Sequence, residues 1–252
     1  AGWGVNDGWH RRMFTVKYEY GMSGYKAFVE KAEQLGLENE LALAKVLKVA
    51  TMHQVADYYG PIAYSQFGAI VNLYDPLDQV YLQFFDELDS SIEILEKVAA
   101  SGARLLEDYD LVYGGVAVKW VQFANSLRLR LAMRVSYADP GLAKEEAEKS
   151  LKSPFGVIES NSGNAVIAEP GVRHPIYTIN VEFNDADTQM GASMDAYLNG
   201  YNDPRMFLIA KPAGDGKLHG VRPGIAPSAW TNYKNTAAKV SAPNASIYNI
   251  TW

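Results

Sequence analysis

The chain contains no cysteine, which rules out a disulfide framework, a thiolate nucleophile and a thiol metal site. No apolar run is long enough to span a bilayer. The opening residues AGWGVNDGW carry neither the basic stretch nor the apolar stretch of a signal peptide. Basic charge is in deficit: 23 Lys and Arg face 29 Asp and Glu, a formal net charge of -6. That argues against a nucleic-acid partner, whose phosphates need a concentrated basic surface. The four histidines, His10, His53, His174 and His219, share no metal-ligand spacing. The chain also lacks a GxSxG elbow, a P-loop, an HExxH helix and a dinucleotide fingerprint, so no motif points to an enzyme. With 29 carboxylates some acidic pair suited to glycoside hydrolysis always arises by chance. Those from Asp86 to Glu96 read as a solvated helix face, and His53 as a partly exposed residue on a helix.

What is present is helical periodicity and aromatic side chains. The 252 residues can bury one large core or two smaller ones, and 16 Tyr and 5 Trp supply rings that suit wet binding surfaces as well as cores. The clearest helix lies between Gly114 and Pro140. Ala117, Trp120, Ala124, Leu127, Leu131 and Val135 recur at spacings of three and four, with Lys119, Gln122, Ser126, Arg130 and Arg134 as a polar stripe beside them. Trp120 belongs to the core, and Arg128, Arg130 and Arg134 serve local ion pairs. Asp139-Pro140 is an N-cap followed by a helix-compatible proline, so a second helix starts at once and runs to about Lys152.

Upstream, residues 1–22 are aromatic-rich without a period. A short helix covers about Gly24 to Leu35, closed by Gly36 in the left-handed region. The next, residues 39–59, buries Leu43, Val46, Leu47, Ala50 and Val55 and ends at Gly60-Pro61. After a loop, Asp75-Pro76 offers another N-cap, and the helix from Leu77 to about Ala100 buries Val80, Phe84, Leu88, Ile92 and Leu95 before Gly102. The expected fold is therefore mainly α: antiparallel helix pairs, 39–59 with 77–101 and 115–137 with 140–152, stacked like tetratricopeptide units without that consensus. After Pro154 Asn, Gly, Pro and Ser become frequent. There we expect an irregular, loop-rich region with one helix at Asp187 to Gly200 and a small β-hairpin at Asp215-Gly216. The tail to NITW looks like part of a longer protein.

Four stretches resemble the SusD/RagB-like family of nutrient-binding outer-membrane lipoproteins. They are ALAKVLKVATMHQVADYYGPIAYSQFG at 42–68, YDPLDQVYLQFFDELDSSIEIL at 74–95, KWVQFANSLRLRLAMRVSYADPGLA at 119–143 and NDPRMFLIAKPAGDGKLHGVRPG at 202–224. The resemblance implies one SusD-like domain, here partial, with a helical-pair scaffold at 23–152 and a ligand-side region at 153–252. It implies a lipid-anchored protein at the outer-membrane cell surface that captures a glycan or other nutrient for a SusC-like TonB-dependent β-barrel transporter. It implies neither catalysis nor a cofactor. Membrane attachment would run through a lipid-bearing cysteine that this chain does not contain, and further C-terminal helices of the family are missing as well.

Family ligand contacts vary between members, so site residues are chosen on physical grounds. A sugar has apolar C–H faces and a polar rim, and it is held by an open aromatic plane beside hydrogen-bonding side chains. Trp3, Trp9 and Trp230 lie in Gly-, Pro- or Asn-rich segments, with Arg12, Asn6, Asp7 and Asn232 nearby in sequence. The expected ligand set is Trp3, Trp9, Arg12, Trp230 and Asn232, against the alternative that these tryptophans pack the irregular region onto the helices. Tyr58, Tyr59 and Tyr64 form either a turn packed by its own rings or, with Ile62 to Phe67, a contact for the transporter. Asn184, Asp185, Asp187 and Thr188 alternate oxygen ligands but lack the glycine and glutamate of a calcium loop, so no metal is expected. The rival functions are a helical-repeat scaffold that binds a protein or peptide, and a glycan-cleaving enzyme.

Overall fold

The computed structural model describes residues 6–167, 175–182, 188–230 and 240–244. The chain divides into two compact units, residues 6–166 and a second within 167–252.

In the first unit six helices follow in order: α1 (Asp7–Val16), α2 (Ser23–Leu35), α3 (Glu38–Tyr59), α4 (Leu77–Ser101), α5 (Ala117–Val135) and α6 (Pro140–Lys152). The apolar periodicity explains their packing, α3 on α4, α4 on α5 and α5 on α6. Val46, Val49, Met52 and Val55 of α3 meet Val80, Phe84, Leu88 and Leu95 of α4 in one sealed core with Trp120, Val121, Ala124 and Leu131 of α5. Burying a side chain such as Phe84 contributes about 2–3 kcal/mol. Gly36 and Gly102 end α2 and α4 at positive φ (66° and 72°), as their positions after apolar periods predict. Asp139 caps α6, its carboxylate accepting from the Leu142 amide at 2.9 Å.

Polar side chains lock the stack. Buried Arg128 of α5 donates to Asp89 of α4 (2.6 Å), Ser150 of α6 (3.0 Å) and Asn125 (2.8 Å). Lys149 of α6 reaches the other Asp89 oxygen at 2.8 Å. Asn125 and Gln122 donate to the Gly156 and Phe155 carbonyls, both at 3.1 Å, and the Ser126 hydroxyl accepts from Ile158 N at 2.8 Å. The polar stripe of α5 thus pins the chain after α6. Between α4 and α5 one carboxylate organises the loop: Asp110 accepts from Val112 N (2.9 Å), Tyr113 N (3.1 Å), Gly115 N (2.8 Å) and the Trp120 indole N–H (2.7 Å).

Several expectations are corrected. Residues 7–22 are not irregular: α1 continues through a π-helical stretch, Lys17–Met22, directly into α2. The rings that hid the helical period pack against other segments instead of forming a stripe. His53 is buried, with Nδ1 against the Val49 carbonyl at 3.1 Å. Leu47 is exposed. Asp75 does not cap α4; its carboxylate accepts from Tyr64 N, Ser65 N and the Ser65 hydroxyl at 2.6–3.0 Å. The acids of α4 are not all solvated, since Glu87 pairs with Lys48, Asp89 with Arg128, and Glu96 accepts from Ser153.

In the second unit the helix Ala192–Gly200 begins later than periodicity suggested, and Met190 lies before it. Asp187 falls outside the described residues. Leu198 is buried with Met190, Ala210 and Leu218. The turn at Asp215-Gly216 forms, with Gly216 at φ 81° and Ala213 N bonded to the Lys217 carbonyl at 2.8 Å. Among the described residues β-pairing is limited to isolated bridges.

Candidate functional site

A cluster of aromatic side chains forms where α1 meets the end of α3 and the loop to α4. Asn6 starts α1, its carboxamide oxygen accepting from Trp9 N at 3.2 Å, and Asp7 follows in the first turn, where negative charge suits the helix dipole. Phe14 anchors the helix. Its ring centroid lies 4.5 Å from Tyr18, 5.3 Å from Tyr59 and 6.5 Å from Tyr74, and Tyr18 lies 5.6 Å from Phe67. The Tyr59 hydroxyl donates to the His10 carbonyl, and the Tyr18 hydroxyl to the Ala63 carbonyl at 2.9 Å. Burial, then neighbouring Tyr74 and Asp75, push the Tyr18 phenol up to about 12, so it keeps its proton and its donor role.

The helix is therefore held from beneath by these rings. Trp9 is 69% exposed and Arg12, three residues on, is exposed on a neighbouring position of the same helix. Tyr58 (73%) and Tyr74 (59%) are open on the segments that hold α1. The loop beneath them is built, not slack: Asp75 clamps residues 64 and 65, the Asn72 carboxamide oxygen accepts from Gly68 N at 2.8 Å, and Lys26 donates to the Gly68 carbonyl at 3.3 Å. Ring faces and a guanidinium on a fixed base can hold a ligand that is apolar on one side and hydroxylated on the other.

A second feature lies under α2. A cavity of about 370 Å3 is lined by Tyr25, Phe28, Leu43, Leu47, Met52 and Lys48, among others. Lys48 pairs with Glu87, which also accepts from the Tyr64 hydroxyl, and its ammonium lies 4.7 Å and 4.4 Å from the Tyr25 and Tyr64 ring centroids. Burial lowers the Lys48 pKa while Glu87 opposes the shift. Lys48 and Glu87 satisfy each other, which makes the cluster a brace between α2, α3 and α4.

A family profile described as SusD-like, the SusD and RagB outer-membrane lipoproteins, matches residues 1–252. The chain belongs to the SusD-like family. No curated protein sequence matches it. Among solved structures this SusD-like chain is similar to a chitin-binding SusD homologue from Flavobacterium johnsoniae, at 34% identity and TM-score 0.86, covering 97% of this chain and 50% of that one. It is also similar to SusD homologues from Bacteroides vulgatus (31%, 0.79, covering 96% and 49%) and Bacteroides uniformis (34%, 0.75, covering 87% and 46%). It spans about half the length of each. No helix among the described residues is long and apolar enough to cross a membrane.

Of the residues expected at the SusD-like site, the structure brings Trp9 and Arg12 together on α1. Asn6 and Asp7 lie one turn back, with Asn6 occupied in capping. Trp3 and Asn232 lie outside the described residues, as do Asn184 and Asp185. Of Trp230 only the backbone is described, in the helical turn Pro227–Trp230. Within Ile62 to Phe67, the alternative contact for the transporter, Ile62, Ala63 and Tyr64 are buried next to the bridge between Ile62 and Asp75, while Ser65 and Gln66 are exposed. In the same loop Ile70, Val71 and Leu73 are exposed. Sequence reasoning missed Tyr59 and Tyr74 as partners of α1, since nothing local signals a contact across 49 residues. In the second unit Tyr197 is exposed and lies nearly parallel to Tyr201, 6.2 Å between ring centroids.

Proposed function

We propose that this SusD-like chain is part of a cell-surface protein that binds a glycan and hands it, unaltered, to a TonB-dependent outer-membrane transporter. The observation that carries this reading is Trp9, 69% exposed, three residues from exposed Arg12 on a helix anchored by Phe14, Tyr18 and Tyr59. Such a surface offers a stacking face and a donor fork without a mobile base. Family membership supports capture and lipid anchoring at the outer membrane, and the chitin-binding relative at 34% identity supports a glycan as the ligand. In this reading residues 23–152 are a passive frame and residues 153–252 add further ligand contacts. Asp75, Asp89 and Asp110 of the frame hold backbone or basic groups, which suits binding without bond cleavage.

Isothermal titration against chito-oligosaccharides and a panel of other oligosaccharides and peptides tests it. We expect saturable binding of a glycan, no product on prolonged incubation, and affinity reduced between about two- and tenfold by Trp9→Ala, the value of one aromatic contact. Binding of peptides alone, product release, or an unaltered affinity in the variant would each overturn the reading.

A further inference from the structure

Where the end of α3, the start of α4 and the junction of α5 with α6 converge, they enclose a groove of about 540 Å3. Its walls are aliphatic: Leu77, Leu82, Val135, Ala138 and Leu142. Leu77 and Leu82 are 38% and 41% exposed, so apolar surface stands open to water beside fixed charges. Asp57, Asp78, Asp139 and Arg134 supply those charges, and three carboxylates against one guanidinium leave the lining negative.

The charges fall into two kinds. Asp57 and Arg134 satisfy each other at 3.0 Å, and the Tyr81 hydroxyl donates to the same Asp57 oxygen at 2.6 Å. Burial, with the Asp57 carboxylate beside it, raises the Tyr81 pKa, so that hydroxyl remains a donor. Asp78 and Asp139 have no ion pair among the described residues. One Asp139 oxygen accepts from Leu142 N, which satisfies the helix end without cancelling the charge. The only ring in the lining is that of Tyr81, and it is buried. A sugar therefore finds no open aromatic plane here, whereas a cation on an aliphatic stem finds both a carboxylate and an apolar wall.

We propose that this groove docks a peptide segment of a partner protein in which Lys or Arg stands next to aliphatic residues. The aliphatic side chains lie on Leu82, Val135 and Leu142, and the cations meet Asp78 and Asp139. The docking site is separate from the Trp9 surface and does not depend on what that surface binds.

Fluorescence anisotropy on the full 252-residue chain tests it with three labelled hexapeptides of one pattern: Leu-Lys-Leu-Leu-Lys-Leu and its Gln and Glu counterparts. The Lys peptide should bind saturably and weaken as salt rises, with the Glu peptide weaker by at least about tenfold, the consequence of meeting like charges. Asp78→Asn combined with Asp139→Asn should weaken the Lys peptide by about fivefold. Asparagine still caps α6, so the melting temperature should hold. Ala138→Phe, which fills the groove from an exposed position, should abolish binding and leave glycan titrations unchanged. Equal binding of Lys and Glu peptides, no binding of any, or no response to these variants overturns the proposal. So does displacement of the peptide by chito-oligosaccharide, or a self-associating chain that Ala138→Phe renders monomeric.

Discussion

Replacing Arg128 should expose how the frame is held. Its guanidinium is 6% exposed and joins three helices, through Asp89 on α4, Asn125 on α5 and Ser150 on α6. In Arg128→Met the chain loses a charge-assisted bond to Asp89 and strands the Asn125 oxygen and the Ser150 hydroxyl, both residues fully buried. A charged hydrogen bond contributes about 1.5–3 kcal/mol and a stranded buried group costs about 1–3 kcal/mol. The sum is tempered because Lys149 still neutralises Asp89, whose side chain is 35% exposed, and because Ser150 also donates to the Glu146 carbonyl at 2.9 Å. We expect a net loss of about 3 kcal/mol, a large part of a typical domain's margin. Arg128→Lys keeps the charge but not the fork, and should lose about 2 kcal/mol. Urea denaturation followed by far-ultraviolet circular dichroism reads both as shifts of midpoint at constant slope. A loss below about 1 kcal/mol for Arg128→Met, or a Lys variant indistinguishable from the parent, would refute the claim that the fork, not the charge alone, locks the stack.

Two further outcomes follow from the loop between α4 and α5. Burial alone would raise the Asp110 carboxyl, but the bonds from Tyr113 N, the Trp120 indole, Gly115 N and Val112 N outweigh it and hold it below its ordinary 3.8. Its stabilisation is therefore present above that value and lost as pH falls through the lower folded one. Asp110→Asn, which turns donors toward donors, should lose about 2 kcal/mol at neutral pH, and the gap to the parent should close below pH 3.8 in acid-denaturation curves. Alanine at Gly115 meets both a positive φ of 79° and the Leu105 carbonyl oxygen at 2.9 Å, whereas at Gly102 nothing lies within 4 Å. Thermal melts should rank Gly115→Ala clearly below Gly102→Ala, the latter losing only about 1 kcal/mol for its φ.

What the sequence determined by itself were the elements whose signals are local. Apolar spacing marked α3, α4 and α5; Gly36 and Gly102 marked ends; Asp139-Pro140 marked the start of α6. Those features act within a turn or two of helix, so their effect does not depend on what packs against them. Trp9 and Arg12 stood out as candidates for a similar reason, being an aromatic and a cation outside any apolar stripe. Tertiary structure decided the rest. Asp75 looked like the cap of α4 until the loop folded back and offered two amides and a hydroxyl to its carboxylate. His53 and Glu87 carried polar signatures that burial and distant partners overrode. Tyr59, read only as a turn or transporter-contact residue, supports α1 through a hydrogen bond to His10 across 49 positions. Such contacts form only after the chain has lost the entropy of closing long loops, so no short stretch of sequence records them.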